Sequence, residues 1–407
     1  MNNQEKQLRN WKAIAATSVV IALASVIVLL ILGVKGIRDS VFKPVTDNTA
    51  AVTETSQAAV TESTEITDIT VTSEEPEITE TSVAEEADAL SLWTEDAEAK
   101  KALVSYVEAV TDENGADYIP VENRIAVFDM DGTILCETDP YYFDHCILVY
   151  RVLEDPEYKD KASAFEKDVA TRLQAKFDGD KNAEVSMVEH GQAVAMAFAG
   201  MTIDEFEDYV EAFKNQPAPG YNGMTRGEAF YKPMLQVIDY LQANDFKVYI
   251  VSGTDRLIVR GLIRNSVDIP RNQLIGSDEL LVASNQGNVD GMEYTFTDKD
   301  KVVTGGEFII KNLDMNKVTA IMTEIGIQPV LSFGNSTGDS AMANFTIMNN
   351  KYKSLAFMLC CDDLERENGN ASKADKMRDL CSENNWIAIS MKNDWTTIYG
   401  EGVNRKT

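Results

Sequence analysis

The sequence predicts an α/β protein: a doubly wound parallel sheet with an inserted helical cap, preceded by a single transmembrane helix and a disordered acidic linker. Three observations carry this expectation. Short apolar, β-rich runs alternate with helical patterns after residue 230, and repeating strand–helix units build parallel sheets covered on both faces. Residues 13–34 form a run of 22 without a charge. Residues 45–99 hold fifteen acidic residues and no Lys or Arg.

The elements run in chain order. At about 1.5 Å per helical residue the 13–34 run spans about 33 Å, which matches a hydrocarbon core of about 30 Å. Trp11 sits at one interface, and no small-x-small cleavage site closes the run, so an uncleaved anchor is expected rather than a signal peptide. Lys6, Arg9 and Lys12 before it nearly balance Lys35, Arg38 and Lys43 after it. The linker over 35–90 is rich in Thr, Ser and Glu and too polar to offset its ordering entropy. Its lack of positive charge suits a translocated segment. The expectation is therefore a cytoplasmic residue 1–12 segment, a membrane anchor and an extracytoplasmic C-terminal domain. A helix is expected from Thr94, its cap, to Gly115, on a stripe of Leu103, Val104, Val107 and Val110.

The first strand is expected at 124–129. A helical block comes next, with helices at 141–153, 162–177, 185–198 and 203–213, the last capped by Thr202. It interrupts the sheet pattern, so residues 137–230 are expected to be a cap inserted in a core of 91–136 and 231–407. Strands are then expected at 246–251, 273–276, 329–333, 354–359 and 386–390. Helices are expected at 233–244, 255–265, 314–325 and 373–383, the last with Ser372 as cap. Residues 279–310 alternate like a hairpin or flap around Gln286-Gly287.

Composition bounds the function. The chain has 407 residues, 44% of them hydrophobic, so it can bury a sizeable core. The net charge is −29; residues 1–44 carry +4 and residues 45–99 carry −15, leaving −18 for the remainder. Such a domain repels nucleic acid, and any phosphate site in it must bring its own positive charge. Five cysteines, Cys136, Cys146, Cys360, Cys361 and Cys381, make no metal-binding spacing. An odd thiol is left over, which weighs slightly against an oxidising compartment. With only His145 and His190, a histidine-based metal site or general base has little support, and His190 is expected to be structural.

Four motifs carry chemistry. Asp129-Met130-Asp131-Gly132-Thr133 ends the first strand. Side chains at i and i+2 share a strand face, so both carboxylates converge beyond the C-terminal edge of the sheet, where open α/β sheets bind ligands. Gly132 allows a sharp turn and Thr133 offers a hydroxyl and an N–H. Ser252-Gly253-Thr254 ends the second buried strand, where Ser252 O–H and Gly253 N–H could bind a phosphoryl oxygen at a helix N-terminus. Lys317 stands in the first turn of a helix, where the macrodipole disfavours a cation, and Lys311 competes for its role. Gly334-Asn335-Ser336-Thr337-Gly338-Asp339 ends another strand with an amide and a carboxylate four apart, oxygen donors of the kind that suit Mg²⁺. Arg256 and Arg260, on the helix after Ser252, are further candidates for substrate contact, with surface arginines the plainer reading.

In this order and spacing the four motifs resemble the haloacid-dehalogenase superfamily, in its phosphoserine-phosphatase-like branch, over residues 92–400. Flanking segments, Tyr231-Lys232-Pro233-Met234 and Asp362-Asp363-Leu364-Glu365-Arg366-Glu367 among them, are similar to a bacterial group within it. The resemblance implies a Rossmann-like core. It also implies Asp129 as nucleophile, Asp131 as general acid/base, and Thr133, Ser252, Gly253 and Lys317 as phosphate-binding groups. Mg²⁺ would be held by the Asp129 carboxylate, the Asp131 main-chain carbonyl and Asp339, with Asn335 beside them. Asn335 stands where many relatives carry Asp, and Glu137 lies off the spacing of a phosphoserine-recognising glutamate. The resemblance thus implies a Mg²⁺-dependent phosphatase for small phosphomonoesters, working through an aspartyl-phosphate, and the 13–34 run adds the expectation that it is membrane-anchored. A phosphotransferase or phosphomutase using the same intermediate, and a catalytically silent surface binding protein, are the alternatives.

Overall fold

The computed structural model describes residues 89–406. Seven strands form its main sheet: β1 Ile125–Phe128, β3 Lys247–Asp255, β4 Leu274–Ala283, β5 Val302–Ile310, β6 Leu331–Gly334, β7 Leu355–Cys360 and β8 Ile387–Ser390, in the order β5-β4-β3-β1-β6-β7-β8. All neighbours are parallel except β4 and β5. A two-stranded antiparallel pair joins β2 Tyr221–Asn222 to β9 Asn404–Arg405.

The central strand shows why the sheet is covered on both faces. All four residues of β1 are buried, yet they divide with period two. Ala126 and Phe128 enter the large core with Leu103 and Val107 of α1 (Glu98–Thr111) and Val237 and Leu241 of α6 (Lys232–Ala243). Ile125 and Val127 face the other way, toward Ile321 of α8 (Met315–Glu324) and Met342 of α9 (Ser340–Ile347). The rings of Phe128, Phe333 and Phe357 stack in sequence across β1, β6 and β7, with centroids 4.2 and 4.9 Å apart.

The block between β1 and α6 is helical: α2 Phe143–Val149, which runs on as a π-turn over Tyr150–Glu154, α3 Ala164–Phe177, α4 Met187–Ala197 and α5 Ile203–Lys214. Ser163, Ser186 and Thr202 each cap a helix with a reciprocal Glu three residues on, so these starts are written locally. The β4–β5 hairpin ties this block to the sheet. Thr304 donates its hydroxyl to the Phe198 carbonyl at 2.5 Å, its carbonyl accepts from Gly200 N–H, and a Cβ on Gly191 would lie 2.5 Å from the Phe308 ring. Helices α7 (Arg256–Ile263) and α10 (Ala371–Asn384) complete the layers.

The expected architecture is corrected in its membrane part. Among the described residues no helix is long and apolar enough to cross a membrane. The longest have 14 residues, about 21 Å of helix against about 30 Å of hydrocarbon, and all carry charges along their length. The span expected at 13–34, and all but the end of the expected linker, lie outside the described residues. The single anchor, and the membrane localisation that rested on it, therefore have no support in the fold. Leu90, at the end of the expected linker, is buried in the core. Two caps differ from expectation. Helix α1 starts after Ala97 without a side-chain cap, because Thr94 is drawn away to bond Asn393 and Asp394. Helix α10 is capped by Asn370 rather than Ser372.

Candidate active site

The loops after β1, β3 and β6 meet at the C-terminal edge of the sheet. They line a cavity of about 480 Å³ whose opposite wall comes from α2, the end of α3 and the start of α4. Asp129, Asp131, Gly253, Thr254, Asn335 and Asp339 all line it. Lys317 lies fully buried on the strand-end side and joins two of the motifs, its Nζ donating to Asp129 Oδ1 and to Asp339 Oδ1 at 2.6 Å each. The cation in the first helical turn is thus explained: two carboxylates outweigh the unfavourable end of the helix dipole.

Local sequence sets the loop shapes. Gly132 has φ of +81°, and a Cβ there would lie 1.9 Å from Asn335 Nδ2, so only glycine lets the Asn335 amide sit against this turn. Thr133 is buried, and its hydroxyl reaches Asp129 Oδ2 at 3.5 Å. Asp339 Oδ2 accepts from the N–H groups of Asn335 and Ser336 at 3.1 and 3.0 Å and from Ser336 Oγ at 3.2 Å. Both Asp339 oxygens are therefore engaged by the protein, whereas Asn335 carries its amide to the cavity.

Around Ser252 the structure departs from expectation. The strand does not end at Val251; β3 continues to Asp255, so Gly253 sits in a strand rather than at a helix N-terminus. Ser252 is fully buried, with its Oγ 3.5 Å from Asp131 Oδ2. Thr254, two residues on, donates to Asp131 Oδ2 at 2.7 Å and lines the cavity. The period-two rule could have found Thr254, had the strand been read far enough. Lys311 lines the same cavity, while Lys317 makes the contact to Asp129. Arg256 instead binds Asp278 and Glu324, both at 2.7 Å. Glu137 lines the cavity and accepts from Tyr142 Oη at 2.5 Å.

Burial raises both strand-end carboxyls, and Lys317 is in contact with Asp129 alone of the two. Burial, then the Asp339 charge, pushes Asp129 above the carboxylate range, against the pull of Lys317. Burial also raises Asp131 to about 8, with Asp144 and Asp129 adding to it and the Thr254 hydrogen bond opposing. Burial alone would lower Lys317, but Asp129 and Asp339 together raise it, so its ammonium stays charged. The arrangement can hold a proton on Asp131 at neutral pH, while the Lys317 ammonium favours the charged form of Asp129.

The sequence model for haloacid dehalogenase-like hydrolases matches residues 126–344, more than half of the chain. No curated protein matches the sequence. Solved structures similar to it include a conserved protein of unknown function from Anaerococcus prevotii, at 14% identity over 71% of this chain and 91% of that one, with a TM-score of 0.44. Another is a phosphoserine phosphohydrolase-like protein from Francisella tularensis, at 13% identity over 62% and 92%, with a TM-score of 0.33. A third is a probable phosphoserine phosphatase from Vibrio cholerae, at 10% identity over 67% and 62%, with a TM-score of 0.33.

Proposed function

The chain belongs to the haloacid dehalogenase-like hydrolase family, and from that premise we propose that it is a Mg²⁺-dependent phosphomonoester hydrolase working through an aspartyl-phosphate on Asp129. The observation that carries the proposal is the Lys317 ammonium held at 2.6 Å from both Asp129 and Asp339 at the wall of one cavity. A carboxylate approaching a phosphate dianion meets about 4 kcal/mol of repulsion per charge pair at 4 Å and an effective dielectric near 20. Lys317 offsets part of it and fixes the Asp129 carboxylate in place.

The donor set fits a hard cation. Asp129, the Asp131 main-chain carbonyl and the Asn335 amide offer oxygen donors, and one lysine shared by Asp129 and Asp339 offsets their negative charge only in part. Mg²⁺ bound there would supply the remaining positive charge opposite the phosphoryl oxygens. Asp339, with both oxygens engaged, is assigned to positioning Lys317 and the 334–339 loop.

In the proposed reaction an Asp129 oxygen attacks phosphorus, and the bond to the leaving alcohol breaks. The departing oxygen takes the proton of Asp131, which its raised pKa keeps in place at neutral pH. Asp131 then accepts a proton from water, whose oxygen attacks phosphorus and releases inorganic phosphate from Asp129. Thr254 orients Asp131 throughout. The wall built by α2, α3 and α4 serves as the cap, excluding water and selecting small substrates.

The test is turnover of an aryl phosphate with Mg²⁺. Asp129→Asn is expected to abolish it while the fold persists, and retained activity would reject the assignment. If an added alcohol captured the phosphoryl group in preference to water, the enzyme would be a phosphotransferase.

A further inference from the structure

The only two histidines of the chain, 45 positions apart, meet in the wall of this cavity that faces the strand ends. Their rings lie 4.5 Å apart between centroids, and the Asp144 carboxylate lies beside them, its Oδ2 3.7 Å from His190 Nδ1. We propose that Asp144, His145 and His190 form a second divalent-cation site, selective for a borderline ion of the Zn²⁺ class and separate from the oxygen-only site of Asp129.

The argument rests on what faces what. His190 Nε2 lies 3.4 Å from the main-chain oxygen of Asp144. A proton on Nε2, directed at that carbonyl, leaves Nδ1 as a bare acceptor. Nδ1 lies 3.7 Å from Asp144 Oδ2, another acceptor. With that tautomer two acceptors of buried residues face each other across the gap, a place that a cation fits. A carbonyl fixing the far ring nitrogen is also the usual support of a metal-bound imidazole.

Spacing agrees. Tetrahedral Zn²⁺ with bonds of about 2.0–2.2 Å sets its ligand atoms about 3.4 Å apart. The His190–Asp144 pair is within a few tenths of that, and all three ligand atoms lie within 4.8 Å of one another. The residue left to close in is His145, the least buried member of the three. Three protein ligands leave a fourth position, and it opens on the cavity shared with Asp131.

The donor atoms decide the kind of ion. Lys311 and Lys176 line the same cavity, and Asp144 is the single carboxylate of the triad. Those two lysines are outnumbered there by carboxylates, Asp129, Asp131, Glu137 and Asp339 among them, so charge alone does not select the ion. An ion that bonds to two neutral imidazole nitrogens gains what charge does not provide, which favours Zn²⁺ over Mg²⁺. The sequence offered no sign of this. Asp144-His145 is an adjacent pair on α2, and His190 comes from α4, which packs beside it only in the fold.

Co²⁺, whose visible d–d absorption reports four-coordinate nitrogen ligation, tests the proposal on the full chain in excess Mg²⁺. The expected result is one equivalent of Co²⁺, displaced by Zn²⁺, with the same spectrum in Asp129→Asn. His145→Gln should weaken binding by about tenfold or more, and His190→Gln should remove the band. Because His190 is buried, its variant is checked by circular dichroism; should it not fold, the variant of the less buried His145 decides alone. An absent band, a band unchanged in His145→Gln, or a band lost in Asp129→Asn would each overturn the site.

Discussion

Lys317 joins carboxylates from two motifs, so its removal tests the electrostatics of the site most directly. Lys317→Met leaves Asp129 and Asp339 buried without their shared cation, and a loss of about 3–5 kcal/mol in urea unfolding is expected. A change under about 1 kcal/mol would mean the ammonium does not offset those charges. Asp131 belongs to the same scale. Asp131→Asn keeps the shape of the loop and removes the proton that burial holds there to about pH 8, so kcat on an alkyl phosphate should fall by about 10²–10⁴. A leaving group that needs no proton, such as a nitrophenolate, should lose less in the phosphorylation step. Equal losses on both substrates would argue against the acid role. Gly132→Ala adds a Cβ at a positive φ against the Asn335 amide and should cost about 1–2 kcal/mol from the backbone alone, read as a lower unfolding midpoint. Asp129 and Asp131 were legible in the sequence as a pair at a fixed offset from a strand end, whereas Lys317, by itself a plain surface lysine, was singled out only by the family resemblance. Thr254 and the histidine pair were not: one needed the true end of β3, the other a contact between two helices.

At the scale of elements, β4 carries a feature no local pattern announces. Glu279 is buried with both carboxylate oxygens unpartnered. Burial, then the charges of Asp255 and Asp278, raises its pKa from the ordinary 4.5 to about 10. The sign comes from linkage. Above pH 4.5 the unfolded chain gives up this proton while the folded chain retains it, so the unfolded state binds fewer protons and stability falls as pH rises. Glu279→Gln should therefore raise the thermal midpoint at pH 8 and change little near pH 4.5; an equal shift at both would show that charge is not the cause. The flap expected at 279–310 is present as the β4–β5 hairpin, but its span and partner were decided by packing. Strand β4 runs on well past the expected strand at 273–276, because it pairs first with β3 and then with β5. Helix starts at Ser163, Ser186 and Thr202 were local matters, since a hydroxyl and a Glu three residues on satisfy the same exposed N–H groups in any context.

For the molecule as a whole, the two ends of the described chain clasp each other. Trp93 packs edge-on against Trp395 with centroids 5.8 Å apart, its indole N–H donates to the Pro233 carbonyl at 3.0 Å, and Thr396 N–H bonds the Leu92 carbonyl. Trp93→Ala should cost about 3–5 kcal/mol in urea unfolding, the range for deleting a buried indole, and an unchanged midpoint would show that this clasp closes without stabilising. The sequence by itself determined the α/β class, the order of strands and helices, and the four motifs that meet around the cavity. Those depend on periodicity and on residue types at fixed spacing, which act over a few positions. Tertiary structure alone decided that Lys317 bridges Asp129 and Asp339, that Thr254 bonds Asp131, and that His190 comes to lie beside Asp144 and His145. Each of those contacts joins residues brought together by sheet order and helix packing, and burial, which sets their charges, exists only once the layers have closed.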